Sequence, residues 1–148
     1  MRCSVVNVKV RKTSPGARLP KMEHEGDSGF DLYSTEDVLL KPMERRLVGT
    51  GIALSFGKGF EAQVRPKSGL AINHGITLLN TPGTIDSGYR GEVKVVVANL
   101  GEKEYRIEKG SKIAQLVFCR VEAPEIVEVA ELENTARGSG GFGSTGLK

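Results

Sequence analysis

The feature that most constrains the fold of this chain is a two-residue alternation of apolar and polar side chains. It is most regular in residues 6–10, 60–64 and 93–97, where Val, Phe or Ala recurs at every second position. Successive side chains of a β-strand point to opposite faces of a sheet, so this pattern predicts strands that bury one face. The chain is therefore expected to be all-β.

Other segments have the composition of strands, and turn signals separate them. The further predicted strands are residues 37–40, 46–56, 76–79, 112–121 and 126–132. Turns rich in Gly, Pro, Asn or Ser are predicted at 14–16, 41–42, 57–59, 81–83 and 100–101. A turn every 8–12 residues or so is typical of an antiparallel sandwich or barrel. Only residues 68–74 break the alternation, and they predict one short helix capped by Ser68.

Length and composition limit the number of domains. The chain has 148 residues, 39% of them apolar, which suits one folded domain. We expect residues 1–133 to form this β domain, and we expect it to oligomerise because a small domain buries a modest share of its surface. Residues 137–146 contain five glycines and no strand or helix pattern, so residues 134–148 are expected to form a mobile arm.

Charge, hydropathy and cysteine usage exclude several partners. The net charge is only +3, without a run of five like charges, so no nucleic acid is expected to bind. No apolar run is long enough for a bilayer and the N-terminus lacks a signal peptide, which predicts a cytoplasmic protein with no membrane partner. Cys3 and Cys119 are far apart, and His24 and His74 do not cluster, which argues against a zinc site.

Three glycine-bearing segments are candidates for chemistry. Asp86 lies in a turn, residues 82–92, where a fixed carboxylate could hold a water for attack, although a turn aspartate more often caps the backbone. Lys67, Ser68 and the amides near Gly69 begin the predicted helix, where they could bind phosphate or form an ordinary cap.

The third candidate is the arm itself. Its glycines expose many backbone N–H groups, and Arg137 adds a fork suited to phosphate oxygens. A flexible linker is the simpler interpretation, but Phe142 argues against it because an aromatic ring amid glycines could close over a planar base.

The order of these segments is more informative than any one of them. The chain contains, in succession, SGFDLYS, RPKSGLA, GTIDSGYRGE, GSKIAQLVF and RGSGGFGSTG. This series resembles the five ordered motifs of the trimeric deoxyuridine triphosphatases (dUTPases), and it spans residues 26–146.

The resemblance implies a fold and a reaction. The fold would be a distorted jelly-roll-like (β-clip) barrel that assembles as a homotrimer, with the arm of one subunit closing a site between two others. The reaction would be Mg²⁺-dependent hydrolysis of dUTP to dUMP and pyrophosphate, which keeps uracil out of DNA and supplies dUMP for thymidylate synthesis.

Carried over by motif, the resemblance also implies roles for single residues. Asp86 would be the general base, and Gln115 would contact the α-phosphate and order the water. Asp31 would meet Mg²⁺ through water. The remaining residues would bind the substrate: Lys67, Ser68 and Gly69 the phosphates; Asn80, Gly83, Thr84 and Ile85 the uracil; Tyr89 the deoxyribose; Phe142 the base from above; Arg137, Gly143, Ser144 and Thr145 the γ-phosphate end.

Two departures from the family pattern stand out. Lys67 replaces the usual arginine, and a point charge cannot make a bidentate contact. Arg65 is expected to point to the opposite strand face and so not to substitute for it. Phe30 replaces a common tyrosine, which should be silent if the ring is packed.

Two other functions remain open on the sequence. A dCTP deaminase-like enzyme would share the fold but release ammonia, and the glycine-rich arm argues against it. A non-catalytic nucleotide-binding barrel would be expected to lack one of the acting residues, whereas Asp86 and Gln115 are both present.

Overall fold

The computed structural model describes residues 7–142 and 144, and these form ten strands and one helix. In chain order the elements are β1 Lys9–Lys12, β2 Phe30–Tyr33, β3 Val38–Leu40, β4 Arg45–Ser55, β5 Phe60–Arg65, α1 Ser68–His74, β6 Ile76–Leu78, β7 Gly83–Asp86, β8 Glu92–Asn99, β9 Tyr105–Ile107 and β10 Lys112–Arg120. The all-β prediction with one short helix is confirmed. None of the helical residues described forms a stretch long and apolar enough to cross a membrane.

Two four-stranded sheets enclose the core. One has the strand order β1-β4-β8-β6 and the other β2-β10-β5-β7, while β3 and β9 form a separate ribbon. Every strand pair is antiparallel. The core consists of aliphatic side chains from both sheets, among them Leu32, Ile52, Val95, Ile107 and Leu116. A core built from Val, Ile and Leu follows from a composition with few aromatic residues.

Strand β4 contains an irregularity where its pairing with β8 is interrupted. The register shifts between Gly49 and Ala53, and Gly51 at this irregularity has a φ of +68°. A Cβ at Gly51 would lie 2.8 Å from Cβ of Ala17 and from Cγ2 of Thr35. The left-handed backbone and the crowding both require glycine here.

The helix has the predicted bounds but not the predicted cap. Lys67 is its N-cap residue, no side chain caps it, and Ser68 is the first helical residue, so the expectation that Ser68 caps was wrong. Gly75 ends the helix in the left-handed conformation, with its N–H bonded to carbonyls of the last turn.

The segment after β10 differs from the prediction. Residues 126–132 are not a strand; they form no ladder, and Ile126 and Leu132 are 88% and 87% exposed. Their β-branched composition favours a strand, but a strand needs a neighbour to pair with, and none is provided within the described chain.

The sequence pattern did not predict three of the strands, β2, β7 and β9. Strands β2 and β7 lie in glycine-rich segments that were interpreted as loops or turns, and β9 is only three residues long. The described part of the arm consists of turns and irregular backbone; Cys3, Val6, Gly143 and Thr145 lie outside the described residues.

Candidate active site

Strands β2, β10 and β5 bring three of the sequence motifs into one row. In the ladders, Asp31 lies opposite Gln115, and Gln115 lies opposite Arg65. Directly opposed residues share a face, so all three project from the side of the sheet that faces away from the core. The prediction that Arg65 points to the opposite face is wrong, because a strand returns to the same face every two residues. Arg65 nonetheless donates to Oε1 of Gln63 at 2.9 and 2.6 Å, away from Asp31.

A charged pocket of about 300 Å³ opens at this row, and we call it the phosphate pocket. Its lining includes Glu23, Gly29, Asp31, Lys67, Lys112 and Gln115. Nζ of Lys67 lies 2.5 Å from Oδ1 of Asp31, and Nζ of Lys112 lies 2.7 Å from Oδ2. Lys112 also contacts Oε2 of Glu23 at 2.7 Å. Two cations and two anions thus form one connected network.

These contacts shift the protonation equilibria of the network. Burial alone would raise the pKa of Asp31. Hydrogen bonds from Lys112 and, to a smaller extent, from Lys67 outweigh this effect of burial and hold the pKa below its usual range. A hydrogen bond from Lys112 likewise lowers the pKa of Glu23. The hydrogen bonds to Asp31 and Glu23 raise the pKa of Lys112. At neutral pH Asp31 and Glu23 are therefore ionised and Lys112 is protonated.

Gln115 is fixed by its surroundings. Its Nε2 donates to the carbonyl of Pro66 at 3.1 Å, which ties β10 to the segment that carries Lys67. Gly29 packs so closely on this side chain that a Cβ there would overlap Oε1 of Gln115. Ser68 and Gly69 are exposed and follow the half-buried Lys67 in the chain, and they do not line the pocket. Of the predicted phosphate-binding residues, Lys67 lines the same pocket as Gln115, whereas Ser68 and Gly69 only adjoin Lys67 in the chain.

Asp86 lies in a second pocket, of about 310 Å³, which we call the nucleoside pocket. Along β7 the side chains alternate, so that Thr84 and Asp86 are exposed while Gly83 and Ile85 are buried. Tyr89 follows in the next turn, 48% exposed, and its hydroxyl donates to the carbonyl of Glu92. The predicted uracil and deoxyribose residues in and after β7 therefore cluster, and Asn80 precedes them in an exposed turn.

The two pockets share a sheet face but lie far apart on it. Asp86 pairs with Glu61 on β5, and Glu61 pairs with Cys119 on β10, four residues beyond Gln115. Four residues span about 13 Å along a strand, and the two strand spacings from β10 to β7 add about 10 Å across. Asp86 and Gln115 of one chain therefore cannot contact the same phosphorus atom.

The described arm residues bond among themselves. Nε of Arg137 donates to the carbonyl of Gly140 at 2.9 Å, and the Ser144 amide donates to the carbonyl of Gly141 at 3.0 Å. Phe142 is fully exposed. The structure thus does not bring Arg137, Phe142 and Ser144 to either pocket.

Sequence reasoning missed several residues that line these pockets. In the phosphate pocket they are Glu23, Gly29 and Lys112, and in the nucleoside pocket they are Leu47, Glu92 and Lys94. Lys112 was not predicted as a site residue because it is three residues from Gln115. That spacing puts side chains on opposite faces of a regular strand. An irregularity in the β10–β2 register, between Lys112 and Ala114, turns it to the same face.

Comparison with known proteins identifies the family of this chain. A sequence model of the dUTPase family matches residues 16–146. The deoxyuridine 5'-triphosphate nucleotidohydrolase of Clostridium kluyveri is 58% identical over 137 residues, 93% of this chain and 96% of its own length. That of Clostridium acetobutylicum is 52% identical over 144 residues, 97% of this chain and 99% of its own length.

Solved structures of dUTPases resemble this chain over most of its length. The dUTPase of Staphylococcus bacteriophage 80alpha with dUpNHpp has a TM-score of 0.88 at 30% identity, covering 95% of this chain and 99% of its own. A mutant dUTPase of S. aureus phage phi11 that coordinates a structural Mg(II) ion has a TM-score of 0.80 at 27% identity, covering 86% of this chain and 99% of its own.

The likeness to these solved structures places this chain among the jelly-roll-like enzymes that hydrolyse nucleotides. The expectation of that fold is confirmed by the structural likeness. Within this class the chain belongs to the dUTPase family, the dUTP diphosphatases, because the family match and relatives above half identity span nearly its whole length. The resemblance carried by the five motifs is confirmed.

Proposed function

We propose that this chain hydrolyses dUTP to dUMP and pyrophosphate in active sites shared between the copies of a homotrimer. The observation that carries this proposal is the separation of Asp86 from Gln115 on one sheet face. Both are needed at the α-phosphorus, yet one chain holds them too far apart. Each site would combine the nucleoside pocket of one copy with the phosphate pocket of another.

Two surfaces support assembly. An apolar groove of about 550 Å³ lies beside β1, and its lining includes Val8, Val10, Phe30 and Phe118. Residues 121–132 of the same chain expose several aliphatic side chains. Exposed apolar surface of this extent is typical of protein interfaces, so we assign the groove of one copy to this segment of a neighbour.

Hydrolysis would proceed by attack of water on the α-phosphorus. Asp86 accepts a proton from the water as its oxygen forms the new bond to phosphorus. The bond from the α-phosphorus to the bridging oxygen breaks, and pyrophosphate leaves with the bonding electrons. Gln115 of another copy contacts the α-phosphate and orients the water, while Lys67, Ser68 and Gly69 hold phosphate oxygens.

The nucleoside pocket would select deoxyuridine. Backbone and side-chain groups from Asn80 to Ile85 form hydrogen bonds with uracil, and a mismatched buried polar group costs about 1–3 kcal/mol. Tyr89 packs against the deoxyribose and leaves no room for a 2′-hydroxyl. The arm of a third copy closes over the site, with Phe142 on the base and with Arg137, Gly143, Ser144 and Thr145 at the γ-phosphate.

Mg²⁺ fits the phosphate pocket through water. Each oxygen of Asp31 already accepts a hydrogen bond from an ammonium, and among the described residues no group of three His, Cys, Asp or Glu could ligate an ion directly. An ionised carboxylate has about four lone-pair sites, so each oxygen can still accept a hydrogen bond from water. Mg²⁺ usually keeps several of its waters and, when bound, would neutralise triphosphate charge.

In the cell this reaction would keep uracil out of DNA and supply dUMP for thymidylate synthesis, as expected of a cytoplasmic enzyme. The test is to incubate the protein and Mg²⁺ separately with dUTP, dCTP, dTTP and UTP, and to measure pyrophosphate and ammonia. Pyrophosphate from dUTP alone is expected. Ammonia from dCTP would identify a deaminase, and nucleotide binding without turnover would identify a non-catalytic barrel.

Site sharing has its own test. Asp86→Asn and Gln115→Ala are each expected to be inactive, but refolding an equal mixture should restore activity. With random assembly, about a quarter of all sites would then combine an intact Asp86 with an intact Gln115. A mixture that stays inactive while sedimenting as a trimer would place each site within one chain.

A further inference from the structure

Two separate lysines hold the carboxylate of Asp31, one at each oxygen. Lys67 contacts Oδ1 at 2.5 Å and Lys112 contacts Oδ2 at 2.7 Å. The Asp31 side chain is only 8% exposed, so solvent competes weakly for either oxygen. A carboxylate held at one oxygen can rotate about its Cβ–Cγ bond, whereas contacts at both oxygens fix its plane.

One arginine could provide both contacts. A guanidinium presents two parallel N–H groups that match the two oxygens of a carboxylate, whereas an ammonium is a point charge. With lysine at position 67, the second oxygen of Asp31 needs a cation from elsewhere. Lys112 supplies it from a different strand.

The position of Lys112 is itself fixed. The irregularity in β10 turns it toward Asp31, and Glu23 contacts the same ammonium at 2.7 Å. The segment that carries Glu23 is tied to Asp31, because the Asp31 amide donates to the carbonyl of Lys21 at 2.8 Å. The position of Lys112 at Oδ2 of Asp31 is thus fixed both by its own strand and by Glu23.

We propose that Lys67 and Lys112 act together as a split cation that fixes Asp31, with Lys112 as a positioning residue anchored by Glu23. This inference rests on the proposed function, in which Asp31 meets the hydrated Mg²⁺ of the bound nucleotide. Removal of Lys112 leaves Asp31 held at Oδ1 alone. An arginine at position 67 holds both oxygens and makes Lys112 dispensable.

The test is a double-mutant cycle on positions 67 and 112. With Lys67 present, Lys112→Met should lower kcat/KM for dUTP about tenfold, the effect of losing one partly exposed hydrogen bond to a charged group. In a Lys67→Arg background the same change should cost less than about twofold, because the guanidinium already holds both oxygens. Lys112→Arg should retain activity, and Lys58→Met, at an exposed turn, is the matched control.

A binding measurement separates positioning from a structural role. Calorimetry with the analogue dUpNHpp over a range of Mg²⁺ concentrations gives the concentration needed for half-maximal binding. With Lys67 present, Lys112→Met should raise it about tenfold, and in the Lys67→Arg background it should stay within about twofold. A merely structural role would lower the melting temperature and leave this concentration unchanged, which would overturn the proposal.

Equal losses with lysine and with arginine at position 67, or no loss in either, would also overturn it. If Lys112→Met does not fold, Lys112→Gln carries the same comparison. A wild-type protein that turns over dUTP while showing equal losses contradicts the split cation alone. A wild-type protein without dUTP turnover contradicts the proposed function instead.

Discussion

Gly29 and Gln115 pack so closely that a methyl group on the glycine would overlap the amide oxygen of the glutamine. The φ of Gly29 is not in the left-handed region, so the constraint is the space occupied by Gln115 rather than the backbone. The glycine of SGFDLYS is therefore required by the space that the glutamine of GSKIAQLVF occupies.

Gly29→Ala should move the Gln115 amide and lower kcat. A displacement near 1 Å at a group that orients a reactant costs about 10²-fold, so a loss of about tenfold to 100-fold is expected in steady-state assays with dUTP. Gly57→Ala is the matched control, because a Cβ there meets nothing within 4 Å. Equal activity of the two variants would show that the position of Gln115 is not critical.

Replacement of Asp86 should separate chemistry from binding. Asp86→Asn keeps the shape but removes the proton acceptor, and loss of a general base lowers kcat about 10²–10⁴-fold. Calorimetry with dUpNHpp should show nearly unchanged affinity. An Asn variant with near-normal turnover would remove Asp86 from the role of base, whereas Glu102→Gln, at an exposed turn, should leave turnover unchanged.

Removal of the arm should abolish turnover without unfolding the protein. The described hydrogen bonds of Arg137 and Ser144 lie within the arm, so a chain ending at residue 136 loses none of the core contacts. Circular dichroism and sedimentation should match the full chain, while dUTP hydrolysis falls to near background. Full activity of the shortened chain would show that the arm does not close the site.

The sequence predicts the sheets better than it predicts where they pair. Alternation identifies β5 and β8, strand-like composition between turn signals identifies β4 and β10, and the loss of alternation identifies α1. The apolar residues 126–132 have the same local signal, but no strand among the described residues pairs with them. Pairing is a long-range property, so local composition cannot distinguish these cases.

The same limit applies to the site. The motifs named Asp31, Lys67 and Gln115, which the β2–β10–β5 ladder then brings together. They did not name Lys112, because only the irregularity in β10 turns its side chain toward Asp31. Nor could they reveal that Asp86 lies too far from Gln115 within one chain, since that distance follows from the register of three strands.

Asp31 should make stability depend on pH in the acidic range. Its pKa in the folded chain lies below the ordinary value of 3.8, so its contribution is fully present above about pH 4 and is lost as pH falls through the folded value. Asp31→Asn should therefore lower the free energy of unfolding by about 1–3 kcal/mol at pH 7, with the difference shrinking below pH 4. Urea unfolding at fixed protein concentration measures it, and a difference that stays constant down to pH 2 would contradict the assignment.

The exposed aliphatic residues after β10 should control both assembly and activity. Ile126 is 88% exposed in the single chain, and a neighbour that covers it would bury apolar surface worth about 1.5–3 kcal/mol for such a side chain. Ile126→Asp removes that gain and adds a charge to the interface, so the trimer should dissociate at protein concentrations where the wild type stays assembled. Sedimentation velocity over a dilution series measures this directly.

Activity should follow assembly in the same dilution series. If Asp86 and Gln115 act from different copies, a monomer contains no complete site, and the specific activity of Ile126→Asp should fall as the trimer dissociates. Glu125→Gln changes an adjacent exposed residue without removing apolar surface, so its specific activity should stay constant on dilution. An Ile126→Asp monomer that hydrolyses dUTP at the wild-type rate would contradict a shared site, because it would need Asp86 and Gln115 of one chain to reach the same phosphorus.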